Sequence, residues 1–507
     1  MRKLIAILCV FAMLLSLMLA SCGGDKPAEE SKDESSAPAD DSSAADESKT
    51  EPVSESDDDP YRDENGVYVN KNQLPFKEEW KDRKEFRVLV YNNNVQTTYF
   101  SEEVESLYET TDDKIREAVD MRNREIEDKY GITVKAVAVD NVVTSLRTSL
   151  AADPICDAAM PFMSGVVAFA EDGNLYDLCE FEGYLDIYAP WWDQNANESL
   201  SIAHKIYCST GDISIMQRIV SNGIAFNKKL MANYYPDVNM YDLVDSGEWT
   251  IDKLYEMSKA VTHQVEDDGV MDEHDFWGCL GGGAALYFGS GEMVMGKDAN
   301  DYPIVTIGKS ERTVNVAQKA LTYANEKGTW TVNVSDFSDQ TDKWNKTVQM
   351  FGEDQVLFYC FAFSALKKFR PYDVTYGIVP IPKYDVDQEG YYCRCSNMAY
   401  GVCIPENVED AQFSAYMLDL MAAGGKNYLT KAYYDATLKG KDMNTLDDER
   451  MLDIIFSGIH YDLAHVYNIL DGVFSVSSPD QFISNLQSIL PTAESKIEEI
   501  IERYESN

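Results

Sequence analysis

The chain has 507 residues, 45% of them hydrophobic, and sets 87 Asp and Glu against 44 Lys and Arg for a formal net charge of −43. So acidic a body is repelled by phosphate backbones and by anionic bilayer surfaces, which excludes nucleic acid as a partner and electrostatic adhesion to a membrane. Its length exceeds what one hydrophobic core supports, so two domains or lobes are expected.

In chain order the first element is a leader. Arg2 and Lys3 precede an apolar run from Leu4 to Leu19, which ends in Leu19-Ala20-Ser21-Cys22-Gly23-Gly24. A positive head, an apolar centre and a small-residue exit make a secretory signal. The exit resembles the bacterial lipobox, which implies that residues 1–21 are removed and that Cys22 carries a lipid. Two or more acyl chains give a stable anchor where one holds only marginally. Residues 22–66 are expected to be a tether. From 23 to 66 there are sixteen Asp or Glu against four Lys or Arg, with Ser, Ala and Pro between them. Such a segment cannot bury enough surface to offset its chain entropy, and its charges repel, so it is expected to be extended and disordered.

From about Val67 the composition becomes globular, giving a folded domain over 67–507. Phe86-Arg87-Val88-Leu89-Val90-Tyr91 predicts a buried first strand ending at Asn92, Asn93 and Asn94. Asp112 to Tyr130 has helical periodicity and stops at Gly131; Ile132 to Val139 predicts a second strand, 142–152 a helix, and Asp157 to Pro161 a short strand. Strands alternating with helices predict parallel pairing and an α/β sheet. Ligands of such sheets bind beyond the carboxyl ends of the strands, which makes Asn92, Asn93 and the loop Met160-Pro161-Phe162-Met163 one candidate site. Trp191 and Trp192, after Pro190, are expected either to pack between segments or to form a platform at a cleft mouth.

The chemical motifs are sparse. Gly281-Gly282-Gly283 reads as a flexible turn, with neither the Lys nor the preceding strand of a phosphate loop. The cysteines after Cys22, at 156, 179, 208, 279, 360, 393, 395 and 403, are too widely spaced for a disulfide framework. Cys393 and Cys395 lie about 6.6 Å apart on one face of a strand, at the edge of disulfide reach, and are expected to be buried thiols. No metal-ligand spacing, nucleophile elbow or dinucleotide fingerprint occurs, so no catalytic residue, metal or cofactor is assigned.

Several segments carry a resemblance. Gly223-Ile224-Ala225-Phe226-Asn227-Lys228-Lys229-Leu230-Met231 resembles the crossover of extracellular solute-binding proteins of the maltose-binding type, family 1. Gly247-Glu248-Trp249-Thr250-Ile251-Asp252-Lys253-Leu254 resembles the tryptophan-led helix start that follows it. Tyr376-Gly377-Ile378-Val379-Pro380-Ile381-Pro382-Lys383-Tyr384-Asp385 and Gly401-Val402-Cys403-Ile404-Pro405-Glu406-Asn407 resemble the return strand and next loop. The similarity spans about 84–507.

It implies an α/β, two-lobe periplasmic-binding-protein-like fold of type II, with discontinuous lobes joined by hinge strands. Lobe one is expected at about 84–218 and 362–435, lobe two at about 224–358 and 440–507. The implied function is that of a receptor, anchored outside the cell through Cys22, which binds an oligosaccharide in the interlobe cleft and passes it to the permease subunits of an ABC importer. The alternatives are a non-sugar solute, a ligand sensor for a membrane kinase, and a secreted carbohydrate-active enzyme. Sugars need exposed rings and planar polar groups. On the family's cleft positions these are Phe162, Tyr287, and Phe361 or Phe363, beside Asn92 and Asn93. The chain lacks a Trp at the second crossing and a Trp-x-x-Asp-Arg-like pattern near Phe162, so the resemblance implies an oligosaccharide but does not single out maltodextrin.

Overall fold

A computed structural model describes residues 59–507 except 267, 327–329, 333–335, 337–341, 439–445 and 471. Two sheets organise these residues. In the first, strands β1 (Glu85–Tyr91), β2 (Thr133–Val139) and β3 (Ala158–Ala159) pair in parallel in the order β2-β1-β3, with Leu89 opposite Val137 and Ala159. The apolar run of β1 is buried on both faces, at Val88, Leu89 and Val90, as a strand covered by helices on both sides requires. The helix Asp113–Tyr130 is capped by the Asp112 side chain, which accepts from the Lys114 amide, and ends at Gly131 with φ 70°. Residues 400–405 continue this sheet through bridges of Cys403 to Ala159 and Val402 to Ser209.

The second sheet has the order β10-β4-β9-β5-β8. Its strands are β4 (Asn222–Asn227), β5 (Trp277–Leu280), β8 (Thr331–Val332), β9 (Val356–Ala362) and β10 (Tyr376–Val379). β5, β8 and β9 are mutually parallel, while β4 runs antiparallel to both β9 and β10. The helix Ile251–Val261 begins at Thr250, whose side chain accepts from the Lys253 amide. Trp249, just before it, is fully buried and donates to the Pro380 carbonyl at 2.8 Å. In chain order between β5 and β8 comes a separate hairpin, β6 (Met295–Lys297) with β7 (Pro303–Val305), and β11 (Cys393–Arg394) pairs in parallel with β12 (Ile459–His460).

Three expectations are corrected. β10 sits at the edge of the second sheet, so the return to the first sheet comes after it, near residues 395–405, and not at 362. The C-terminal helix Phe482–Ser506 does not belong to the second side alone: it packs on both β7 and the helix Met163–Glu171, and Arg503 pairs with Asp172 at 3.1 Å. The tether ends earlier than 66, because Tyr61 donates to Asp186 at 2.8 Å and meets the Trp191 ring edge-on at 5.5 Å. The leader, Cys22 and the acidic segment through 58 lie outside the described residues. Cys393 and Cys395 are buried free thiols, as their spacing implies. Among the described residues no helix is long and apolar enough to cross a membrane.

Candidate functional site

Beyond the carboxyl ends of β5, β8 and β9 lies a cavity of about 720 Å³. Gly281 and Gly282 continue from β5, Val332 closes β8, and Ala362 closes β9, so three parallel strands deliver their ends to one place. β4 runs the other way and contributes its first residue, Asn222, whose side-chain amide donates to the Phe361 carbonyl at 3.4 Å. The opposite wall comes from the segment that follows β1, through Thr98 and Tyr99. Tyr99 is within 3.5 Å of the Ser364 hydroxyl, and its carbonyl accepts from Tyr400 at 3.2 Å. The cavity therefore lies where the first sheet's loops face the second sheet's strand ends.

Its lining combines flat apolar surface with hydrogen-bonding groups. Trp344, in the first turn of the helix Lys343–Gly352, is 62% exposed, the largest aromatic surface the lining offers. Tyr359 is buried in the wall with its hydroxyl 3.2 Å from Thr347. Burial pushes the Cys360 thiol up to about 12, which favours its neutral form. Lys343, Lys368 and Arg394 supply the charged groups, the guanidinium of Arg394 lying 4.5 Å from the centre of the Phe288 ring. Among the described residues no cluster of His, Cys, Asp or Glu has the makings of a metal site.

The residues singled out in the sequence fall in different places. Phe361 lines the cavity but is only 2% exposed, and Phe363, 3% exposed, lines a neighbouring cavity of about 240 Å³. Phe162 stacks on Tyr91 at 4.2 Å and pairs with Tyr400 in a bridge; it supports Tyr400, which in turn holds Tyr99. Asn92 donates to Asp140 at 2.8 Å and accepts from the Asn94 amide, closing the loop after β1, and neither it nor Asn93 lines the cavity. Tyr287 is corrected to a core residue: it is fully buried, donates to the Met293 carbonyl at 3.2 Å and packs on Phe288 and Phe474. The triple glycine does follow a strand, β5, contrary to expectation, because Trp277–Leu280 is too short to register as one beside the glycines.

Trp191 and Trp192 take the packing role. Both are buried, and both indole N–H groups donate to Asp419, at 2.8 and 3.3 Å. Burial raises the Asp419 carboxyl to about 6 in spite of those bonds. They border a more open space of about 900 Å³ near the helix Leu446–Ser457, away from the strand ends.

Trp344, Tyr99 and Asn222 escape a sequence reading. Trp344 shares a helical face with Val348 and Phe351, both buried, so periodicity places it in the core. It sits in the first turn of the helix, where it lines the cavity instead of packing in the core.

No family model matches the chain, and no curated protein does. Among solved structures, a cyclo/maltodextrin-binding protein complexed with maltotetraose is similar with a TM-score of 0.50 at 14% identity, over 84% of this chain and 97% of that one. The apo form of RafE from Streptococcus pneumoniae is similar at 0.49 and 13%, over 85% and 99% of the two chains. An ABC substrate-binding protein from Listeria monocytogenes in complex with cycloalternan is similar at 0.48 and 14%, over 83% and 100%. The first of these likenesses shows the fold: this chain has the two-lobe, α/β periplasmic-binding-protein-like architecture.

Proposed function

We propose that the chain is an extracytoplasmic receptor that binds an oligosaccharide in this cleft and delivers it to an ABC importer, and that a lipid on Cys22 holds it to the membrane. The observation that carries the reading is the exposed indole of Trp344 in a cavity at the strand ends that Tyr99 and Asn222 also line. A pyranose presents flat C–H faces that stack on an aromatic ring, and hydroxyls that pair with planar polar groups. The fold it shares with a protein complexed with maltotetraose supports the same ligand class. Binding, not bond chemistry, is the task. The charged groups among the described lining residues are Lys343, Lys368 and Arg394, which donate hydrogen bonds to a bound ligand. Closure of two lobes about their hinge strands would present the loaded form to the permease subunits.

A thermal-shift screen of the whole chain against a sugar library tests this, since a ligand that binds only the folded state raises its Tm. Oligosaccharides are expected to raise it and amino acids and peptides to leave it unmoved. A shift with peptides alone would overturn the reading.

A further inference from the structure

The charged groups of the cleft point to its ligand. Resting on the reading of the cavity as a sugar site, we infer that it selects an oligosaccharide bearing anionic groups, either uronate carboxylates or sulfate esters. An acidic residue occupies about one position in six of this chain. The 900 Å³ space by the helix Leu446–Ser457 mixes the signs, its carboxylates, Asp212 and Asp453 among them, standing beside cations such as Arg218 and Lys426. A third cavity, of about 430 Å³, carries Glu198, Asp298 and Asp301 with a single cation, Lys297. The cleft lining has no Asp or Glu among its described residues and three cations.

Those cations come from separate segments. Lys343 opens the helix that carries Trp344, Lys368 lies in the turn Leu366–Phe369 after the β9 crossing, and Arg394 belongs to β11. Three independent parts of the chain thus place positive charge on one cavity of a molecule whose overall field is negative. A neutral sugar hydroxyl both donates and accepts, and carboxylates and amides serve it well. Lys and Arg side chains only donate. A lining whose charged groups are all donors fits a ligand with surplus acceptors, as carboxylate and sulfate oxygens are, and charge-assisted bonds to them are the stronger kind. Lys343 and Trp344 both line the cavity, so it offers a ring for stacking and an ammonium for an anionic substituent. The local reversal of sign also lets an anion dwell where the rest of the surface repels it.

Calorimetric titration of the whole chain with three probes tests the inference: an oligogalacturonate, anionic through carboxylates only; a carrageenan tetrasaccharide, anionic through sulfates only; and maltotetraose, which is neutral. One of the anionic probes is expected to bind, and which one does identifies the group. Lys343→Gln and Lys368→Gln are each expected to weaken that probe about tenfold with an unchanged melting curve. Binding of maltotetraose alone, lost in Trp344→Ala, would overturn the anionic inference and leave the sugar reading standing. Anionic binding unmoved by both lysine variants would overturn it as well. No binding by any probe would overturn both.

Discussion

Trp344 and Tyr287 are aromatic residues on short helices flanking the second sheet, and they are opposite in kind. Trp344 is 62% exposed, Tyr287 not at all. A ring that stacks on a ligand and supports no core is worth about 0.5–1.5 kcal/mol beyond its buried area. Trp344→Ala is therefore expected to weaken oligosaccharide binding about tenfold or more and leave Tm in place, whereas Tyr287→Ala costs about 3–5 kcal/mol of stability, as for a deleted core ring. Calorimetry beside a melting curve separates the two. His465 gives a pH signature. Burial, with the Arg394 charge adding to it, holds its imidazole down at about 4. In the unfolded chain the ring protonates near 6.5, so between about pH 6.5 and 4 the unfolded state gains a proton that the native state refuses. Stability thus falls as pH falls through that window. His465→Gln removes this contribution, and denaturant titrations at pH 7 and pH 4 should show the parent losing on the order of 2 kcal/mol more than the variant.

Two glycines report on how elements are ended and packed. Gly131 closes the helix Asp113–Tyr130 at φ 70°, with nothing within 4 Å of where a Cβ would stand. The cost of Gly131→Ala is then conformational only, about 1 kcal/mol. Gly278 lies in β5 at φ any residue tolerates, but a Cβ there would stand 2.2 Å from the Ser258 carbonyl of the helix Ile251–Val261. Gly278→Ala must push that helix off the strand that feeds the cleft. It is expected to cost about 1–3 kcal/mol, as overpacking does, and to lower ligand affinity, while Gly131→Ala leaves affinity alone. Equal affinities in the two variants would separate β5 from the site.

At the scale of the molecule, the described body begins with a contact, Tyr61 on Trp191. Deleting residues 25–56, which are almost wholly polar and charged, is expected to leave Tm and affinity unchanged. Extending the deletion through Tyr61 should lower Tm, since the ring contact and the bond to Asp186 go with it. A loss above about 1 kcal/mol from the shorter deletion, the size of an ordinary core lesion, would show that the segment packs. The anchor has its own test. With Cys22→Ala, the protein should accumulate unprocessed or appear in the medium. Normal leader cleavage with full membrane retention would refute the lipid assignment.

Local signals carried most of the first sheet. The apolar run of β1, the Asp112 cap, Gly131 and the strand at Thr133–Val139 are each fixed by neighbours a few residues away, and they predict the parallel α/β order that the structure has. The buried state of Cys393 and Cys395 was legible in the same way, from strand spacing. What the sequence could not decide was which aromatic side chains face the cleft. Phe361 borders the cavity yet is only 2% exposed, Tyr287 belongs to the core and Trp344 to the surface, although the last two both sit at helical positions that look alike. The difference is set by what covers each ring: Phe288 and Phe474 pack on Tyr287, whereas Trp344 faces the cavity. Likewise β10 joins the second sheet through its pairing with β4, some 150 positions earlier in the chain, a choice no local pattern encodes. The gathering of Lys343, Lys368 and Arg394 into one lining free of described carboxylates is of the same order: chain contacts between distant segments, not the composition of any one of them, bring like charges together in an otherwise acidic molecule.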